Sequence, residues 1–257
     1  MKIKGLWGKV TENAAEALFP SGIYCISCGS MIDRDRTYAL CDSCAAKLHW
    51  INGRSCEKCG KALADTYRGR VCYDCMAEEH DFTRGFSCMT YGLLERNMIL
   101  SFKYGDKGYM GRHFGDIMYD RLTCEDIEAD VVIPVPLHRK RQQKRGYNQT
   151  EIMADRLSYL MKIKLDTKSL IKVRETRPLS GMNIAERAMA VESAFEVREG
   201  RREALYGKNV LLVDDIYTTG APADACSRAV LAGGAKNVYV ISLASGGNRR
   251  HDEDNTP

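Results

Sequence analysis

The chain has 257 residues, 44% of them hydrophobic and 28% charged, with a formal net charge of +4. That length buries a sizeable core without staples, and the composition excludes a mostly disordered chain. No stretch approaches the ~18 apolar residues of a membrane span, so membrane insertion is not expected. So mild a charge leaves any nucleic-acid affinity to a local patch.

In Met1 to Pro20, Leu6, Trp7, Val10, Ala14, Leu18 and Phe19 fall at helical spacing. Glu12 and Glu16 interrupt the apolar run a signal peptide needs, so this reads as an amphipathic segment packed on the protein. The expected setting is a reducing cytoplasm, where cysteine clusters bind metal more often than they form disulfides.

Eight of the 11 cysteines lie in four CxxC pairs: Cys25/Cys28, Cys41/Cys44, Cys56/Cys59 and Cys72/Cys75. The segments 25–44 and 56–75 both read C-x2-C-G-x11-C-x2-C, an internal repeat whose Gly29 and Gly60 suit the positive φ of a knuckle turn. Thiolates suit zinc, and two CxxC turns complete a tetrahedron, so four pairs make two closed, structural Zn²⁺ sites. Consecutive and interleaved pairing both satisfy the count; the repeat favours consecutive pairing. A redox dithiol needs a thioredoxin-like context that is absent here. Cys88, Cys124 and Cys226 stand alone and read as buried apolar thiols.

From about residue 81 the texture becomes α/β. Helical patterns occupy roughly 93–103, 109–122 and 147–162. The runs around Val131–Val135 and Val210–Val213 read as buried strands of a parallel sheet. A helix at about 222–232, closed by Gly233 and Gly234, leads to a third strand at 238–243. The expected organisation is a zinc-ribbon region over 1–80, one α/β domain over 81–246 and a polar tail over 247–257.

The second strand runs into VLLVDDIYTTG, Val210 to Gly220. At the carboxyl edge of such a sheet, Asp214 and Asp215 offer acceptors to the adjacent hydroxyls of a ribose. Thr218, Thr219 and Gly220 offer hydroxyls and free amides before a helix N-terminus, a ready anion site. The plainer reading is that the two acids merely cap a strand–helix turn. Further upstream, Arg139, Lys140, Arg141, Lys144 and Arg145 place five cations within residues 138–145. They could neutralise ligand phosphates, contact a single-stranded nucleic-acid backbone with Tyr147 as a stacking surface, or form a solvated helix face.

VLLVDDIYTTG resembles the signature by which type I phosphoribosyltransferases bind phosphoribosyl pyrophosphate (PRPP). VVIPVPLHRKRQQKRGYNQ, Val131 to Gln149, resembles the PVPLH…RGxNQ block of the competence ComF family, also called amidophosphoribosyltransferase-like proteins. FKYG, Phe102 to Gly105, is similar to that family's KYxG element, and the ribbons are similar to its amino-terminal region. The resemblance covers about residues 18–245. It implies a type I phosphoribosyltransferase-like sheet flanked by helices behind a double zinc ribbon. It makes Asp214 and Asp215 the ribose-hydroxyl ligands and catalytic centre, and Thr218, Thr219, Gly220 and Ala221 the 5-phosphate loop. Val135, Pro136 and Leu137 become the pyrophosphate loop, and residues 174–195 a flap carrying Arg187. Mg²⁺ is expected with PRPP, and single-stranded DNA and DNA-uptake or recombination proteins are the expected partners. Pro222, Leu179 and Ala190 depart from the family pattern, which has Thr, Gln and Asn there.

Overall fold

A computed structural model of the chain describes residues 22–105, 107–175, 186, 189 and 191–247. The amino-terminal amphipathic segment, the flap positions Leu179, Arg187 and Ala190, and the tail from 248 lie outside the described residues. The chain forms two compact units, Met1–Leu48 and His49–Pro257. The change in sequence texture thus falls near residue 80, whereas the compact units divide after Leu48.

The first unit holds the first ribbon. An antiparallel bridge joins Tyr24 to Met31, and helix α1 (Asp42–Lys47) starts directly after Cys41. Ile26, Ala39, Leu40 and Leu48 form its small apolar interior.

The second unit holds the second ribbon, with helix α2 (Tyr73–Ala77), and the α/β fold. Its strands are β1 (Arg84–Thr90), β2 (Val131–Pro134), β3 (Lys164–Leu165), β6 (Asn209–Tyr217) and β7 (Asn237–Ser245). They form one sheet in the order β1-β7-β6-β2-β3, every pair parallel. Val132, Val210, Leu211, Leu212 and Val213 are fully buried, as expected of strands covered on both faces. A short antiparallel pair, β4 (Leu170–Lys172) and β5 (Phe195–Val197), lies apart.

Helices α3 (Leu93–Tyr104), α4 (Met110–Thr123), α5 (Arg139–Arg145), α6 (Gln149–Met161) and α7 (Ala221–Ala232) complete the fold. Phe102 of α3 and Phe114 of α4 meet edge to face at 5.2 Å, both buried. Each such side chain contributes about 1.5–3 kcal/mol relative to exposure. Two small residues let α4 lie close to α6. A Cβ at Gly111 would stand 2.6 Å from Ile152, and one at Gly115 2.6 Å from Arg156 and 3.0 Å from the Met153 carbonyl. Asn148 caps α6, its side chain accepting the Thr150 N–H. Gly220 precedes α7 at φ 88°, and Pro222 sits in the first turn, where a missing N–H costs nothing.

The parallel sheet with flanking helices behind tandem ribbons is the architecture read from the sequence. The strand β1, the β4–β5 pair and the short strand β3 were not apparent in the residue pattern. Cys124 departs from expectation: it is exposed at the end of α4, whereas Cys88 and Cys226 are buried as predicted. Among the described residues, no helix is long and apolar enough to cross a membrane.

Candidate functional site

The cysteines gather in two groups of four, Cys25, Cys28, Cys41 and Cys44 in one and Cys56, Cys59, Cys72 and Cys75 in the other. Pairing is therefore consecutive. All Sγ atoms of a group lie within 4.8 Å of one another. The Cys28–Cys41 and Cys59–Cys72 separations are 3.8 and 3.7 Å. Zn–S bonds of ~2.3 Å in a tetrahedron put sulfurs about 3.8 Å apart, so the donor set fits zinc. Gly29 and Gly60 take φ 75° and 77°, the left-handed turns the knuckles need. The amides of Cys41 and Cys72 donate to Cys25 and Cys56 Sγ at 3.4 and 3.2 Å, which favours thiolate. In the first group the Ser30 hydroxyl and amide hold the Cys28 thiol down at about 6.

The other constellation lies at the carboxyl edge of the sheet. Strands β2 and β6 are neighbours, Pro134 opposite Val213, and the Val135 N–H donates to the Val213 carbonyl at 2.9 Å. This pairing brings Val135, where the 135–137 loop begins, to the strand end that carries Asp214 and Asp215. Asp214 accepts the Asp215 N–H at 2.8 Å, and Asp215 pairs with Lys103 at 2.6 Å. Burial first, and the Asp215 charge second, push the Asp214 carboxyl up to about 7; the Asp215 amide, Lys103 and Lys172 oppose them. Burial, then Arg141, lowers the pKa of Lys172. At the strand's end Thr218, Thr219, Gly220 and Ala221 form the turn into α7, with the Ala221 N–H 3.5 Å from the Thr219 hydroxyl. Nearby, a cavity of ≈ 440 Å³ touches Thr219 and Ala221, and five acids, Glu78, Glu79, Asp81, Glu192 and Asp224, outnumber the single cation, Arg228, in its lining. So acidic a lining does not favour an anion inside it.

Val135 is held from below. Its carbonyl accepts the Thr150 hydroxyl at 2.7 Å and the Asn148 side-chain amide at 3.3 Å. His138, at the end of PVPLH, has its Nδ1 buried without a hydrogen-bond partner among the described residues.

The chain matches known proteins over most of its length. Residues 14–76 match the family model of the double zinc ribbon domain. Competence protein ComFC of Bacillus subtilis is 27% identical over 242 residues, covering 86% of this chain and 94% of its own. Competence protein F of Haemophilus influenzae is 26% identical over 227 residues, covering 86% and 96%. The chain is a homologue of the ComF competence proteins. Its ribbons are two four-cysteine zinc-binding sites. Among solved structures, glutamine PRPP amidotransferase from B. subtilis, complexed with ADP and GMP, is 21% identical with a TM-score of 0.35. That likeness covers 51% of this chain and 25% of the amidotransferase chain, so this ComF homologue spans about a quarter of that enzyme's length.

The structure gives the ComF-like motifs contacts that the sequence did not disclose. In KYxG, Lys103 is the cation on Asp215, and Tyr104 lies under the Arg145 guanidinium at 4.9 Å. In RGxNQ, Arg145 reaches the Tyr104 hydroxyl and Gln149 Oε1, each at 3.0 Å, while Asn148 ties down Val135. The Tyr147 hydroxyl donates to the Phe102 carbonyl at 2.7 Å, and the residue is half-buried. Tyr104 is 70% exposed, with Arg145 over its ring. The basic segment forms helix α5, with Arg139 and Lys140 exposed and Lys140 paired to Glu175 at 2.8 Å.

Proposed function

We propose that the carboxyl edge of β2 and β6 binds PRPP. The observation that carries the reading is the juxtaposition of the 135–137 loop with the Asp214–Gly220 segment through the parallel β2–β6 pairing. Asp214 and Asp215 accept the ribose hydroxyls, Thr218 to Ala221 hold the 5-phosphate, and Val135 to Leu137 face the pyrophosphate; Arg187, outside the described residues, is added by the family resemblance alone. The orphaned His138 Nδ1 supports an acceptor near that loop.

Two adjacent carboxylates, one raised to about 7, fit a cation that travels with the ligand. Asp214 and Asp215 are the residues that would face Mg²⁺, whose chemistry there is neutralisation of phosphate charge. Lys103 and Lys172 balance the acids in the protein itself. In transfer, an acceptor atom bonds to the anomeric carbon as the bond to pyrophosphate breaks, and the site's contribution is charge neutralisation and alignment. A pyrophosphate-release assay over bases, ammonia and water identifies the acceptor.

Calorimetry with PRPP and Mg²⁺ tests the reading. Asp214→Ala plus Asp215→Ala removes two charged acceptors worth ~1.5–3 kcal/mol each, so affinity falls at least about 100-fold. No heat with the native protein, or equal heat with the double variant, sinks the proposal.

A second reading is favoured by one surface. Exposed Tyr104 under Arg145, close in sequence to exposed Arg139 and Lys140, has the chemistry of a single-stranded nucleic-acid platform. The relatives named competence proteins support a DNA-uptake role. Tyr104→Ala should weaken single-stranded DNA binding about five- to tenfold at all salt concentrations. Arg139→Ala plus Lys140→Ala should instead flatten the log–log salt slope by about 1.4. Binding indifferent to all three substitutions rules this surface out.

A further inference from the structure

We infer that the second zinc ribbon positions the 5-phosphate loop, with Lys61, Tyr217 and His80 as the positioning residues. The inference rests on the PRPP reading above and deepens it.

The connection can be followed atom by atom. Lys61 lies two residues after Cys59, and Asp74 lies between Cys72 and Cys75, so their pairing links both knuckles of one metal site. Lys61 Nζ is 2.6 Å from Asp74 Oδ2, and its side chain is only 2% exposed. The same ammonium stands 5.6 Å from the centre of the Tyr217 ring. Tyr217 ends β6 and is buried, immediately before the loop. Its hydroxyl is 3.3 Å from His80 Nε2. The other nitrogen of His80 lies 2.9 Å from Asp224 Oδ2, in the first turn of α7. One imidazole tautomer, with its proton on Nδ1, satisfies both contacts: Nδ1–H donates to the carboxylate and Nε2 accepts the tyrosine proton. Asp224 is fixed further by the Asp81 N–H at 3.0 Å and by its own N–H donating to the Gly220 carbonyl at 2.8 Å.

Gly220 makes the link mechanical. A Cβ there would stand 2.5 Å from the Tyr217 hydroxyl oxygen and 2.9 Å from His80 Cε1. The two rings therefore press on the loop backbone and set where its amides lie. His80 cannot drift, since it is stacked on Phe82 at 4.9 Å with planes 17° apart. An anion site made of amides works only when they are preorganised, and an error of about 1 Å costs about 100-fold where geometry is decisive.

A ribbon that merely stabilises the fold makes a different forecast, and ligand choice separates the two. The full-length protein is titrated with ribose 5-phosphate, PRPP and inorganic pyrophosphate, with zinc content measured for every variant. His80→Ala should keep two zincs per chain and lose about tenfold or more in affinity for the two ligands carrying a 5-phosphate, with pyrophosphate affinity within about twofold. Tyr217→Phe removes only the hydroxyl and should cost those two ligands about fivefold. In the ligand-free protein, hydrogen exchange at the amides of Thr219, Gly220, Ala221, Ala223 and Asp224 should rise in His80→Ala while β1 and β7 amides stay unchanged. Equal weakening of all three ligands, or of none, overturns the inference. Failure of the wild-type protein to bind PRPP sinks the PRPP reading, whereas unchanged exchange at those loop amides sinks the coupling whatever the ligand.

Discussion

Cys72→Ser should release one of two zincs and abolish the cooperative unfolding transition of the α/β unit, whereas Cys28→Ser should release one zinc and leave that transition in place. The difference follows from burial. Cys72 is fully buried and Cys28 is exposed. Cys56, Cys59 and Cys72 belong to one apolar cluster with Val131, Ile133, Val210, Leu212 and Val238 of the sheet, so the second metal site is part of the sheet's core. Zinc binding in small metal domains is worth ~10–16 kcal/mol, about the whole stability of an ordinary domain at ~5–15 kcal/mol. Serine retains the volume but gives a poor zinc ligand, leaving Cys56 and Cys59 buried and Cys75 half-buried without the metal that neutralises their thiolates. Zinc content by mass spectrometry and thermal unfolding by circular dichroism check this. A Cys72→Ser chain that melts within a few degrees of wild type would contradict it.

How much of this was legible in the sequence depends on the range of the interaction. Knuckle turns, buried runs such as Val210–Val213 and the glycine ending α7 are local, and they read directly because residue type and spacing determine them. The acidic pair at the strand's end was legible for the same reason. The counter-charge on Asp215 was not, since Lys103 arrives from a helix 112 positions earlier in the chain, and no periodicity encodes that encounter. The strand β1, with Gly85, Ser87 and Cys88 among its seven residues, lacks the β-branched run that marks β2 and β6; the sheet recruits it by pairing with β7. His80 reads as an ordinary residue at the end of a ribbon. Its partners Tyr217 and Asp224 lie 137 and 144 positions away, so its contact with the loop appears only once the chain is folded.

Asp214→Asn should stabilise the protein at pH 8 and abolish PRPP binding. In the folded chain Asp214 titrates near 7, against an ordinary value of 3.8, because burial and the neighbouring Asp215 disfavour its charge. A group whose folded value is raised binds a proton more tightly in the native state. Its linkage contribution therefore falls as pH rises from about 4 to about 7 and is constant above that. At pH 8 the ionised carboxylate is carried at a cost of up to about 4 kcal/mol, taking ~1.4 kcal/mol per unit as an upper bound. A neutral amide of the same shape removes that cost, and Asp215 is then relieved of a like charge. Each kcal/mol moves the midpoint of a unit this size by about 2–4 °C. The variant should melt several degrees above wild type at pH 8, and the gap should close toward pH 5, where wild-type Asp214 is already protonated. PRPP affinity of the wild type should fall over the same interval, since only the carboxylate accepts both ribose hydroxyls. A gap that is the same at both pH values would show that charge is not what strains this position. A gap that closes while PRPP binding survives in Asp214→Asn would instead move the ribose contact elsewhere. The predicted pairing of higher stability with lost binding is what a site built around a buried acid beside a like charge should display.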